Sequence, residues 1–130
     1  MPIVAGFIPT AEGRAALDSA IEEARLRETS LVVVVHATRG AEEGSVDAAV
    51  EEARGRLEST DVVHEVRDIQ RSNDVAEDLV RLAEESGADL IVIGLRRRSP
   101  VGKLILGSNA QRILLDAPCP VLAVKPRPSA

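Results

Sequence analysis

Apolar positions change their period along the chain, and the changes mark its elements. Pro2–Ile8 is a short apolar run of strand length. After Thr10, a residue suited to capping a helix, Leu17, Ala20, Ile21 and Ala24 recur at helical spacing. Ser30–Ala37 is continuously apolar and β-branched, which suits a strand covered on both faces. A polar loop over Thr38–Gly44 leads into a second helical stripe at Val46, Ala49, Val50, Ala53 and Leu57, weakened by Gly55. Val62–Ile69 mixes His64, Arg67 and Asp68 among its apolar residues and predicts a strand nearer a sheet edge.

Asp74 with Glu77 has the form of a capping pair, and Val75, Leu79, Leu82 and Ala83 continue a third stripe that stops near Gly87. Asp89–Gly94 predicts another buried strand, and 95–106 a long basic loop with a helical turn at Lys103–Leu106. A fourth helix is expected from Ser108, turning Ala110, Ile113, Leu114 and Ala117 inward, and Val121–Lys125 is the last strand. Strand and helix thus alternate through five strands and four helices. The pattern implies a single α/β domain over 1–126, a doubly wound parallel sheet, and a flexible tail over 127–130. Ligands of such sheets sit beyond the carboxyl ends of the strands, which directs attention to the loops after strands one, two and four.

Composition narrows the chemistry. Of 130 residues 45% are hydrophobic, yet Phe7 is the one aromatic side chain, so base-stacking platforms for nucleic acid are excluded. No apolar run approaches the ~20 residues of a membrane span, and a cytoplasmic protein is expected. The net charge of −5 divides unevenly. Residues 1–95 hold nine basic and twenty acidic residues, a balance of −11, whereas 96–130 hold seven basic residues against Asp116 alone, a balance of +6. An acidic body with a basic final quarter is a poor general DNA binder but suits a local anion site.

The loop after strand four carries that site. Gly94, Gly102 and Gly107 permit close backbone approach or positive φ, and Arg96, Arg97, Arg98 and Lys103 supply cations. The N–H groups of Gly107, Ser108 and Asn109 would stand at the positive end of a helix dipole, with the Ser108 hydroxyl beside them. The competing reading makes the glycines turn punctuation and the arginines a solvated face. A Walker A loop is excluded, because Leu104 follows Gly102-Lys103.

In this segment the chain resembles the universal stress protein family, whose nucleotide signature runs Gly, two residues, Gly, nine residues, Gly-Ser/Thr. Gly94, Gly107 and Ser108 match it, and Arg97 stands at the second glycine. DLIVIG, SPVGK and CPVLAVK also look typical of that family, and the likeness covers nearly the whole chain. The resemblance implies strand order 3-2-1-4-5 and an adenine-nucleotide-binding regulatory protein of the stress response. It also implies ATP, AMP or cyclic AMP as ligand, Mg2+ accompanying ATP, and a homodimer through the last strand, Val121–Lys125. Family members that bind ATP contact the adenosine from an acidic residue after strand one and a residue after strand two, positions that fall here on Ile8 and Ala37. Ile8 accepts no hydrogen bond, and Arg97 limits backbone approach while offering its own guanidinium. The alternative is a member that binds no nucleotide and acts through dimerisation and protein partners. The one aromatic ring, Phe7, is adjacent to Ile8 and is expected to be the ring near enough to stack on a base otherwise held by aliphatic walls such as Ile8, Ala37 and Val101.

Other chemistry ranks lower. His36 and His64 read as rim or core residues, without a Cys and carboxylate set of metal-ligand spacing. Cys119 reads as a buried thiol. Ser99 and Ser108 lack the context of a hydrolase nucleophile. A slow ATPase ranks last, since no general base or metal-binding acid stands near the loop in the sequence.

Overall fold

The computed structural model describes residues 1–36, 45–69, 75–95, 97–98, 103–104 and 107–126, with side chains at 1–36, 47–68, 75–95 and 107–126. The predicted alternation is present. Strands β1 (Ile3–Phe7), β2 (Leu31–His36), β3 (His64–Ile69) and β4 (Leu90–Gly94) are separated by helices α1 (Ala11–Arg27), α2 (Ser45–Glu58) and α3 (Val75–Ser86). A two-residue antiparallel pair follows, β5 (Arg97–Arg98) with β6 (Lys103–Leu104), then α4 (Ser108–Asp116) and β7 (Val121–Val124). The main sheet is parallel, with order β3-β2-β1-β4-β7, the expected 3-2-1-4-5 arrangement counted over its five strands.

Residue alternation explains the unbroken apolar runs. Ile3, Ala5 and Phe7 of β1 join Leu31, Val33 and Val35 of β2 in a core under α1 and α2. Val4, Val32, Val34, Ile91 and Ile93 face the other way, against Ala76, Leu79 and Ala83 of α3 and Ile113 of α4. Both faces are covered, so neither parity of residue can be polar. Thr10 caps α1 as its position suggested, its hydroxyl accepting from the Gly13 N–H at 3.1 Å. α3 ends at Gly87, whose φ of +64° suits glycine.

Three expectations need correction. Lys103–Leu104 is extended, not helical, because it pairs with Arg97–Arg98; the intervening sequence contains Pro100 and Gly102, both turn formers. Leu114 is 41% exposed, since Ala110, Ile113 and Ala117 form the inward stripe of so short a helix and Leu114 falls on its margin. Phe7 is fully buried under α1 and α2, so its ring cannot stack on a ligand at the opposite face. The 38–44 loop, Asp74, the 99–102 and 105–106 stretches and the tail over 127–130 lie outside the described residues.

Ion pairs join α1 to α2. Arg14 donates two hydrogen bonds to Glu52, at 2.8 and 3.2 Å, and Arg56 reaches Asp18 at 2.9 Å and Glu52 at 3.5 Å. The Arg14 hydrogen bonds hold the Glu52 carboxyl below its ordinary range against the opposing effect of burial, with further attraction from Arg14 and Arg56. Cys119 is half-buried, and burial, followed by the Asp89 charge, pushes its thiol upward, so little thiolate exists at neutral pH. Among the described residues no helix is long and apolar enough to cross a membrane.

Because the Glu52 pKa is depressed on folding, the stability it contributes is present above the ordinary carboxyl value and lost as pH falls through the folded one. Glu52→Gln should cost about 0.5 to 1 kcal/mol at pH 7, as a partly exposed bidentate pair does. Urea unfolding at pH 7 and at pH 3 should show that difference shrinking toward zero in acid.

Candidate functional site

The sheet itself opens the site. β1 pairs with β2 along its whole length, Ile3–Phe7, but with β4 only from Ile3↔Leu90 to Ala5↔Val92. Beyond that point Ile93 and Gly94 pair with β7 alone. The neighbouring strands β1 and β4 therefore part at their carboxyl ends, where chain connections leave in opposite directions. A cleft of about 340 Å³ occupies the parting, a volume within the range of small-molecule sites.

Its floor is apolar, made by Gly6, Leu79, Ile93 and Ile113, and its rims come from the strand exits and helix starts. Two glycines fix those rims. A Cβ on Gly13 would collide with the Ile8 carbonyl oxygen, and one on Gly94 with the Glu12 carbonyl oxygen, so the first turn of α1 rests directly on the exits of β1 and β4. Gly94 is thus a packing glycine. At Gly107 a Cβ would meet nothing within 4 Å among the described residues, and its φ of −69° is ordinary, so neither conformation nor the described packing demands glycine there.

Gly107 is the N-cap of α4, and no described side chain caps the helix. Gly107, Ser108 and Asn109 all line the cleft and are exposed. Acidic side chains occupy the first turns of α1 (Glu12), α2 (Asp47) and α3 (Glu77, Asp78), but none stands in the first turn of α4. The uncapped N–H groups and the unquenched dipole make this end of the cleft attractive to an anion.

Five of the eight residues singled out from the sequence meet at this cleft: Ile8, Gly94, Gly107, Ser108 and Asn109. Ala37 and Arg96 lie outside the described residues, and of Arg97 only the extended backbone is described. Neither Gly94 nor Gly107 has a positive φ. Besides apolar lining, sequence reasoning missed two polar side chains of the cleft, Glu12 and His36. Glu12 is the acid near the loop that linear inspection did not find; its position two residues after the Thr10 cap placed it at a strand exit all along. His36, the last residue of β2, was recognised as a rim residue but not joined to the site. Among the described lining residues Glu12 and His36 are the two that titrate, and no described group of three or more potential metal ligands occurs.

Known proteins resemble this chain over nearly its whole length. A family model described as the universal stress protein family matches residues 1–125. A universal stress protein of Mycolicibacterium smegmatis is 44% identical over 130 residues, covering 95% of this chain and 97% of that protein. Among solved structures, a universal stress protein from Archaeoglobus fulgidus superposes with a TM-score of 0.80 at 32% identity, covering 96% of this chain and 98% of the other. One from the same organism in complex with dAMP gives 0.77 at 27% identity, with the same shares covered.

Gly94→Ala should separate packing from binding. The added Cβ would sit 2.7 Å from the Glu12 carbonyl carbon. Thermal unfolding should show destabilisation of about 1–3 kcal/mol, the usual cost of overpacking, whereas a change within 0.5 kcal/mol would contradict the close approach.

Proposed function

The chain belongs to the universal stress protein family, and from that membership we propose that it is an adenine-nucleotide-binding regulatory protein of the stress response. One observation carries the proposal: the switch-point cleft ends at a helix N-terminus without a described side-chain cap, where a Cβ on Gly107 would meet no described atom within 4 Å and φ does not call for glycine. A phosphate approaching that backbone would find N–H donors from Ser108 and Asn109, the Ser108 hydroxyl and the positive end of α4. The dAMP-bound relative from Archaeoglobus fulgidus supports an adenine nucleotide as the ligand class. AMP, cyclic AMP and ATP, the last with Mg2+, are the ligands to test.

Gly107→Ala is the discriminating variant, because no described atom crowds that position, so the protein should keep its stability while the methyl obstructs the anion site. Calorimetry with AMP, cyclic AMP and MgATP should register binding to the native chain at up to millimolar ligand. Affinity in Gly107→Ala should be at least tenfold weaker, with an unfolding temperature within about 2 °C of the native one. Absence of heat with all three ligands would refute the nucleotide reading.

A second reading, assembly and partner binding without nucleotide, draws on Ile8, which lines the cleft where a hydrogen-bonding acid is expected from the family resemblance. It shares with the first a dimer through β7. The two edges of the described sheet differ: β3 carries Glu65, Arg67 and Asp68, whereas Val121–Val124 of β7 are half-buried and uncharged, with no described strand beyond them. An apolar edge without inward charge is open to pairing with a second copy. Light scattering at micromolar concentration should give twice the chain's 13.8 kDa; a strict monomer would contradict the dimer.

A further inference from the structure

We infer that His36 contacts the ligand in the cleft and makes its binding depend on pH. The inference rests on the nucleotide reading above and deepens it by assigning a regulatory group to the same site. His36 ends β2 on the face shared by Val32 and Val34, beneath α3. Its Nε2 lies 3.7 Å from where a Cβ on Gly6 would stand, and the Leu79 Cδ1 lies 3.3 Å from that same point. An imidazole from β2 and a leucine from α3 thus flank a place on β1 that carries no side chain, and all three residues line the cleft. The ring is held at the floor, where a ligand entering the cleft meets it.

The surrounding charge gives the sign. From α1 the described group facing the cleft is Glu12; α3 presents Val75 and Leu79, β4 Ile93, and α4 Ser108 and Asn109, none of them charged. On the neighbouring β3, Ile69 pairs with His36, and Arg67 two residues earlier shares the same side of the sheet but is bound to Glu65 at 3.0 Å. Protonating the imidazole adds a positive charge to a cleft whose other described titrating side chain is the acid Glu12. A phosphate is favoured by that change. Unit charges roughly 10 Å apart at an effective dielectric near 20, further weakened by salt, correspond to an affinity gain of about three- to tenfold. Histidine is the side chain that ordinarily changes charge between pH 5 and 8, so the gain is sought between neutral and mildly acidic pH.

Cyclic AMP is the appropriate probe, because its phosphodiester keeps one charge across this range and any slope then belongs to the protein. Calorimetry at pH 8.0 and pH 5.5 should show about three- to tenfold tighter binding at the lower pH. His36→Gln should abolish the slope, whatever its absolute affinity. The wild-type chain offers an independent reading by reciprocity: saturating cyclic AMP should raise the His36 titration midpoint followed by NMR by about half to one pH unit. His64, which sits at the start of the edge strand with Nδ1 2.9 Å from the Val62 carbonyl oxygen, should not move and serves as the internal reference. Binding of equal strength at both pH values, or a slope that survives His36→Gln, would overturn the role of His36 while leaving the nucleotide reading intact. No binding at either pH would overturn both.

Discussion

The first turn of α1 lies so close to the exits of β1 and β4 that neither Gly13 nor Gly94 has room for a Cβ. This contact is made through main-chain carbonyls, of Ile8 in one case and Glu12 in the other, so no side-chain rearrangement can relieve a substitution there. It ties three elements together at the point where the β1–β4 ladder stops. The rim of the cleft is consequently rigid backbone on the α1 side. Glu12 is carried to that rim by the helix start and not by a loop.

From that fixed rim the cleft acquires two unlike ends. The α4 end offers main-chain donors, a hydroxyl and a helix dipole without an opposing acid. The β1–β2 end offers an apolar floor, an imidazole and the branched side chain of Ile8. A ligand with an anionic group joined to a flat, largely apolar ring matches this polarity, and an anion alone would use only half of it. The absence of aromatic lining follows from the parity of β1. Phe7 takes its place with Ile3 and Ala5 under α1 and α2, and the residue of opposite parity that reaches the floor is Gly6.

Much of the architecture was legible in the order of residues. The strand and helix stripes, the Thr10 cap, the edge character of β3 and β7 and the start of α4 all follow from local pattern, because both sheet faces are covered and each helix buries one stripe. The site was legible where it consists of consecutive residues, as at Gly107, Ser108 and Asn109. It was not legible at Glu12 and His36. These polar residues lie next to strongly patterned segments and carry no motif of their own, and what joins them is their placement at adjacent strand exits.

The two glycines of the loop show where the division falls. In the sequence, Gly94 and Gly107 look equivalent, both belonging to one spacing around a basic loop. Tertiary structure separates them: Gly94 exists for a helix start pressed against it, whereas no described atom crowds Gly107 at the head of α4. Sequence alone determined the order of elements and the family, since periodicity and local motifs are properties of neighbouring residues. Only the packed fold decided which glycine is structural, which way Phe7 points and which titrating groups share the cleft. Those depend on strand register and helix approach, distances between residues far apart in the chain.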